Sequence, residues 1–206
     1  MEHNVTYASI RMSARVHGAG GAIAGFFTYH NDTNESDIEI RTGSDSDEIH
    51  CSNQPTTDPD TDVPIQGSTF NVSMSDKLPT STWNNYRLDW VPGRSAWYTN
   101  GAQSADTEVN VPGAESKIIL NIWSNGGIFS GRMDTGNEAW FDIQWVELVF
   151  NTTSASNTQS GGTACSVESA LGSPVPSASS YPYGRTASSF WWMVGIVAAV
   201  SMMTCV

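Results

Sequence analysis

The chain has 206 residues, with 9 Lys and Arg against 21 Asp and Glu, for a formal net charge of −12. This length holds one domain with a core plus appendages. So acidic a balance excludes nucleic acid, whose phosphates need a basic footprint, and leaves a neutral ligand such as sugar open. The 8 Trp and 18 Gly suit an all-β domain. Most of the tryptophans are expected to fill its core.

The first predicted element follows Asn4. In residues 7–16, Ala8, Ile10, Met12, Ala14 and Val16 share one face, and Tyr7, Ser9, Arg11, Ser13 and Arg15 the other. Period-two alternation of this kind predicts a half-buried antiparallel strand. Gly18, Gly20 and Gly21 then turn the chain, and residues 22–29 form a second, more apolar strand. Residues 86–91 alternate again, Pro92-Gly93 turns them, and 95–99 return. Asn100-Gly101 is a favoured hairpin turn because both residues tolerate positive φ. Residues 118–123 and 140–150 supply two more strands. No stretch before Ser154 keeps a helical period with caps. Strands without helices predict a β-sandwich or barrel over residues 1–150.

The character changes after Phe150. Residues 151–189 are rich in Ser, Thr, Gly and Ala and cannot bury enough apolar surface to offset chain entropy, so they read as a linker or stalk. Residues 190–206 run apolar to the last residue. Small residues around Ser177, a polar spacer and an apolar terminus give the order of a glycolipid-anchor signal. A single membrane span is the alternative. Either way the tail is the expected membrane contact. Five acceptor triplets, at Asn4, Asn31, Asn34, Asn71 and Asn151, favour an extracellular, surface-held protein. No secretory signal opens the chain, so a truncated N-terminus is expected. Cys51 and Cys165 could pair, and Cys205 lies in the apolar tail; the spacing decides nothing further. With no Cys-x-x-Cys and no paired-His spacing, neither a metal nor another cofactor is expected.

The most informative segment is Glu35-Ser36-Asp37-Ile38-Glu39-Ile40. On a strand, Glu35, Asp37 and Glu39 project from one face, while Ser36, Ile38 and Ile40 project from the other. Three like charges in a row repel, so a function must account for them. Retaining glycoside cleavage supplies one, because it needs two carboxyl groups about 5–5.5 Å apart. On an ideal strand the Cα atoms of Glu35 and Glu39 lie about 13 Å apart. A curved strand with leaning side chains is therefore required. Crowding the three together raises at least one pKa, which keeps an acid protonated near neutral pH.

This segment, with its approach Gly25-Phe26-Phe27-Thr28-Tyr29, resembles the active-site strand of glycoside hydrolase family 16, whose pattern is Glu-x-Asp-x-Glu. The hairpin from Tyr86 through Asn100-Gly101, the strand Asn121-Ile122-Trp123-Ser124-Asn125 and the strand at 140–150 resemble later strands of the same family, in the same order. The resemblance implies a concanavalin A-like jelly-roll sandwich, incomplete at its N-terminus. It implies an enzyme on β-1,3 or β-1,3-1,4 glucan, with Glu35 as nucleophile, Asp37 as its hydrogen-bonding assistant and Glu39 as general acid/base. Trp123, Trp83 and Asn121 are the implied substrate-binding residues. The family's His near Trp83 is replaced by Asn84. Transglycosylation and a lectin-like binding module are the competing functions. A glycan on Asn34 would block the cleft, so Asn34 is expected to be unmodified.

Overall fold

The computed structural model describes residues 4–43, 47–74, 76–151 and 199–202, the last by backbone alone. The expected linker at 151–189 after its first residue, most of the tail, and both Cys165 and Cys205 lie outside the described residues. In chain order the strands are β1 (Thr6–Gly18), β2 (Ile23–Asn31), β3 (Asn34–Arg41), β4 (Glu48–Asn53), β5 (Thr69–Ser73), β6 (Asn84–Val91), β7 (Arg94–Thr99), β8 (Ala102–Thr107), β9 (Lys117–Trp123), β10 (Ala139–Asn151) and β11 (Ala199–Met202). They form two sheets, a six-stranded one ordered β11-β10-β1-β6-β7-β8 and a five-stranded one ordered β5-β4-β3-β2-β9. All pairings are antiparallel except β10 with β11. The fold is an all-β sandwich, one of the two architectures the patterning predicts and of the jelly-roll type that the resemblance implies.

Alternation decides which faces meet. Ala8, Ile10, Met12, Ala14 and Val16 of β1 are buried, and so are Tyr86, Leu88 and Trp90 of β6. They pack against Ala24, Phe26, Ile38 and Ile40 from the opposite sheet. β1 and β6 thus turn their apolar sets inward and their more polar sets outward. Trp90 keeps its one polar atom satisfied by donating from Nε1 to the Pro112 carbonyl at 2.7 Å. Trp90 and Trp97 are fully buried, as expected of core tryptophans. The Asn100-Gly101 turn has positive φ at both residues, 48° and 88°, and joins β7 to β8. Cys51 is a free thiol in the core.

Along one side of the sandwich, β9 and the first half of β10 are edge strands. Their ends frame a cavity of about 390 Å³ lined in part by Ile122, Trp123, Met133 and Trp140.

Ile38 has no solvent exposure. It anchors β3 from the core side, so Ile38→Ala should lower the unfolding free energy by about 2–5 kcal/mol in chemical denaturation.

Candidate active site

Strand β3 lies inside its sheet, between β2 and β4, so both of its edges are paired. Ser36, Ile38 and Ile40 enter the core, and Glu35, Asp37 and Glu39 occupy the outer face of the five-stranded sheet. Register defines what surrounds them. Glu35 lies opposite Tyr29, with Lys117 beyond it on β9. Asp37 lies opposite Phe27 on one side and Ser52 on the other. Glu39 lies opposite Gly25 and His50, with Asn121 beyond Gly25 and Asn71 beyond His50. A last row holds Arg41, Ile23 and Trp123. Successive rows sit roughly 7 Å apart.

Asp37 is the hub of the cluster. The Ser52 hydroxyl donates to its Oδ2 at 2.7 Å and the Gln54 amide donates at 3.2 Å. The Glu35 carboxyl group also hydrogen-bonds to Asp37, so neighbouring side chains on this face lean together. Burial is the largest influence on all three acids, and it raises each of them. Glu35 is pushed up to about 8, first by burial and then by the Asp37 charge. Glu39 is pushed up to about 7 by burial and the Asp37 charge, against the opposing pull of Arg41. Asp37 is raised by burial, while hydrogen bonds from Ser52, Glu35 and Gln54 pull it down. With three donors converging on Asp37, the Glu35–Asp37 proton rests on Glu35.

Asn121 and Trp123 lie on this face, opposite Gly25 and Ile23. Gly25 makes room for Asn121, because a Cβ at position 25 would come within 2.6 Å of the Asn121 Oδ1. That oxygen is buried with no protein partner among the described residues. The Trp123 ring stacks on Phe129 at 6.4 Å between centroids. Phe129 also carries Arg41 on its ring at 4.7 Å and meets His50 edge-on. The loop that follows β9 therefore lies over the last row and buries Ile23.

Trp83 is not brought to the carboxylates. Its ring sits against Arg15, which points away from the core on the far side of the six-stranded sheet. Both sheets separate it from Glu35 and Glu39. The reason lies in the register: Trp83 directly precedes β6 and faces out, like Asn85 and Arg87. His30 Nδ1–H donates to the Glu115 carbonyl oxygen at 2.8 Å, and the ring stands outside the cluster.

Ser52, Gln54, His50 and Phe129 were not foreseeable as site residues. They arrive by cross-strand pairing or by a loop returning over the sheet. Gly25 did carry a signal, since a glycine inside a strand marks a close approach. Among the described residues, no group of His, Cys, Asp and Glu has the arrangement of a metal site.

Glycosyl hydrolases family 16 matches residues 2–147, and the chain belongs to that family. The β-glucanase of Paenibacillus polymyxa is 26% identical over 156 residues, covering 72% of this chain and 62% of that protein. Congo red hypersensitive protein 1 of Saccharomyces cerevisiae is 23% identical over 126 residues, covering 59% and 24%. The chain thus spans less than two thirds of the length of these relatives. Among solved structures, the Bacillus licheniformis β-glucanase superposes with a TM-score of 0.51 at 20% identity, covering 67% of this chain and 63% of that one. The Crh5 transglycosylase superposes with a TM-score of 0.54 at 16% identity, covering 68% and 62%. These two show a shared fold.

A raised carboxyl pKa has a direct stability consequence. Below about 4.5, Glu39 is protonated whether folded or unfolded; as pH rises through about 7, the folded chain alone must ionise a buried group. Stability contributed by the protonated form is therefore lost over that window. Glu39→Gln removes the loss, and its Tm should exceed the parent's by about 2–4 °C above that window and by little below it, read by calorimetry.

Proposed function

We propose that this chain carries the active site of a retaining β-glucan-active glycosidase or transglycosylase, with Glu35 as nucleophile and Glu39 as general acid/base. The observation that carries the reading is the single buried face on which Glu35, Asp37 and Glu39 alternate, with all three held toward their protonated forms. A solvated acidic strand would have no reason to bury them.

In this reading a β-linked glucan crosses the rows of the five-stranded sheet. Asp37 takes up the proton from Glu35, freeing the Glu35 carboxylate to attack the anomeric carbon. Glu39 donates its proton to the glycosidic oxygen, and the C–O bond breaks as the glycosyl–Glu35 ester forms. Glu39, now ionised, removes a proton from water or from a sugar hydroxyl, whose oxygen attacks the same carbon and releases Glu35. Two displacements retain the configuration. Asn121 offers an unpaired amide oxygen to a sugar hydroxyl, and Trp123 offers an aromatic face to a pyranose ring. The β-glucanase name among the relatives supports a glucan substrate.

Product analysis on laminarin-type and mixed-linkage glucans tests this. Glu39→Gln should cost about 10²–10⁴-fold in turnover. Glu35→Gln should abolish the glycosyl-enzyme seen by mass spectrometry with a slow substrate. Unchanged product formation in either variant overturns the assignment.

Asp37 governs the pH profile. Its charge raises both Glu35 and Glu39. Asp37→Asn should let Glu35 ionise at lower pH and let Glu39 lose its proton at lower pH. Both limbs of the kcat/KM profile then move to lower pH, a shift that pH-dependent kinetics reads directly.

We also infer an extracellular, surface-held location, supported by the acceptor triplets and the apolar tail. The Asn34 amide donates to Asn31 and accepts from the Gly113 N–H. Glycopeptide mass spectrometry of secreted protein should therefore find glycan on other acceptors and none on Asn34.

A further inference from the structure

The face of the six-stranded sheet that looks away from the core carries two tryptophans with large exposed areas. Trp83 and Trp140 are each 43% exposed. Trp83 lies against the Arg15 guanidinium, 5.0 Å from ring centroid to Cζ. Trp140 stacks nearly parallel on His17, at 5.2 Å and 16°. Between them, Arg15 Nε donates to Asp142 Oδ2 at 2.8 Å, and His17 Nε2 lies 2.9 Å from the same oxygen. The result is a continuous row, Trp83, Arg15, Asp142, His17 and Trp140, running across β6, β1 and β10.

The row is rigidly built. The Asn84 side chain donates to the Pro79 and Thr82 carbonyls, and Val16 N–H donates to the Thr80 carbonyl, which fixes the turn that presents Trp83. Trp140 is paired directly with His17, and Gly18 leaves space for its ring: a Cβ there would lie 2.9 Å from Trp140 Cε3. Each indole is therefore backed on one side and held before any ligand arrives.

We propose that this row is a second carbohydrate-binding surface that holds a β-glucan chain outside the catalytic cleft. The chemistry favours a neutral polymer. Arg15 and Asp142 cancel each other's charge, so the surface offers no field for a polyanion. The indoles are interrupted by polar groups, so they form no contiguous apolar patch of the kind a protein partner covers. What they offer is flat ring faces with hydrogen-bonding groups between them, which matches the C–H faces and hydroxyls of pyranoses. The backbones of Trp83 and Trp140 are two strands and one row apart, roughly 12 Å, a span of a few sugar units.

The surface also continues toward the cleft. Trp140 lines the edge cavity together with Trp123, which belongs to the last row of the catalytic face. Trp83, Trp140 and Trp123 thus mark a path around the β9–β10 side. A chain longer than the cleft can rest on this path while one of its linkages sits at Glu35 and Glu39. The proposal rests on the glucan reading for its ligand, but not on turnover.

Depletion of the chain from solution by particulate β-1,3-glucan tests it. The paired variant Trp83→Ala/Trp140→Ala should bind the particles about tenfold or more weakly than the parent. Its affinity for a short soluble oligosaccharide, measured by titration calorimetry, should stay within about twofold. Trp83→Phe/Trp140→Phe keeps flat rings and should retain particle binding, which guards against a folding defect in the alanine pair. Several results would overturn the proposal: particle binding unchanged in the alanine pair, a parallel loss of oligosaccharide affinity, a parent chain that the particles do not retain, or a dimer that dissociates on substitution. Failure of the catalytic reading shows separately, as turnover indifferent to Glu35→Gln.

Discussion

Everything at the site follows from one constraint, the two-residue period of strand β3. A strand inside a sheet has two faces, and here the sequence assigns Ser36, Ile38 and Ile40 to the core and Glu35, Asp37 and Glu39 to the other side. The core side fixes the register of β3 against β2 and β4, since a one-residue slip would send the isoleucines out and the carboxylates in. The same register places Gly25, His50 and Ser52 beside the acids. Apolar packing on one face therefore sets proton chemistry on the other, and the burial that holds the strand also desolvates the carboxyl groups.

Much of this was legible because it depends on period and turn residues. The alternation of β1, the Asn100-Gly101 turn and the strands at β6, β7, β9 and β10 stand where the pattern predicts them. Strands β4, β5 and β8 were not foreseen. β4 reads Glu-Ile-His-Cys-Ser-Asn and β8 reads Ala-Gln-Ser-Ala-Asp-Thr, with too few apolar residues for periodicity to register. They are strands because neighbours supply a ladder, which is tertiary context rather than local preference. The acidic triplet could be read in one dimension. Its supports, Ser52, Gln54 and Phe129, could not, since they come from separate parts of the chain. Trp83 shows the complementary error: the family resemblance implied a place in the cleft, and strand parity sent the ring to the opposite surface.

The two outer faces of the sandwich use similar residues to different ends. On the five-stranded sheet, acids face one another with little countercharge, and among the described residues Arg41 is the cation that pulls Glu39 down. On the six-stranded sheet, acids are paired: Arg15 with Asp142, Arg87 with Asp89 and Arg94 with Asp106. Asp142 is raised by burial but brought below its ordinary value by hydrogen bonds from His17 and Arg15. Glu35 and Glu39 go the other way. Carboxylates of one kind thus take opposite protonation states according to the face they occupy.

The pattern of shifts fits the proposed reaction in a further way, through conservation of charge. Before attack, the competent cluster has Glu35 ionised, Asp37 protonated and Glu39 protonated, a net charge of minus one. After attack, Glu35 is an uncharged ester, Asp37 still holds its proton, and Glu39 has given its own to the leaving sugar, again minus one. A buried site cannot readily hold two adjacent negative charges. Here neither displacement asks it to. In that reaction Glu39, having given its proton to the leaving sugar, is the carboxylate available when a base is needed. Asp37 makes this possible by taking the Glu35 proton within the cluster, with Ser52 and Gln54 holding its carboxyl group in place. Two glutamates alone on this strand would have to release that proton to solvent before the first attack.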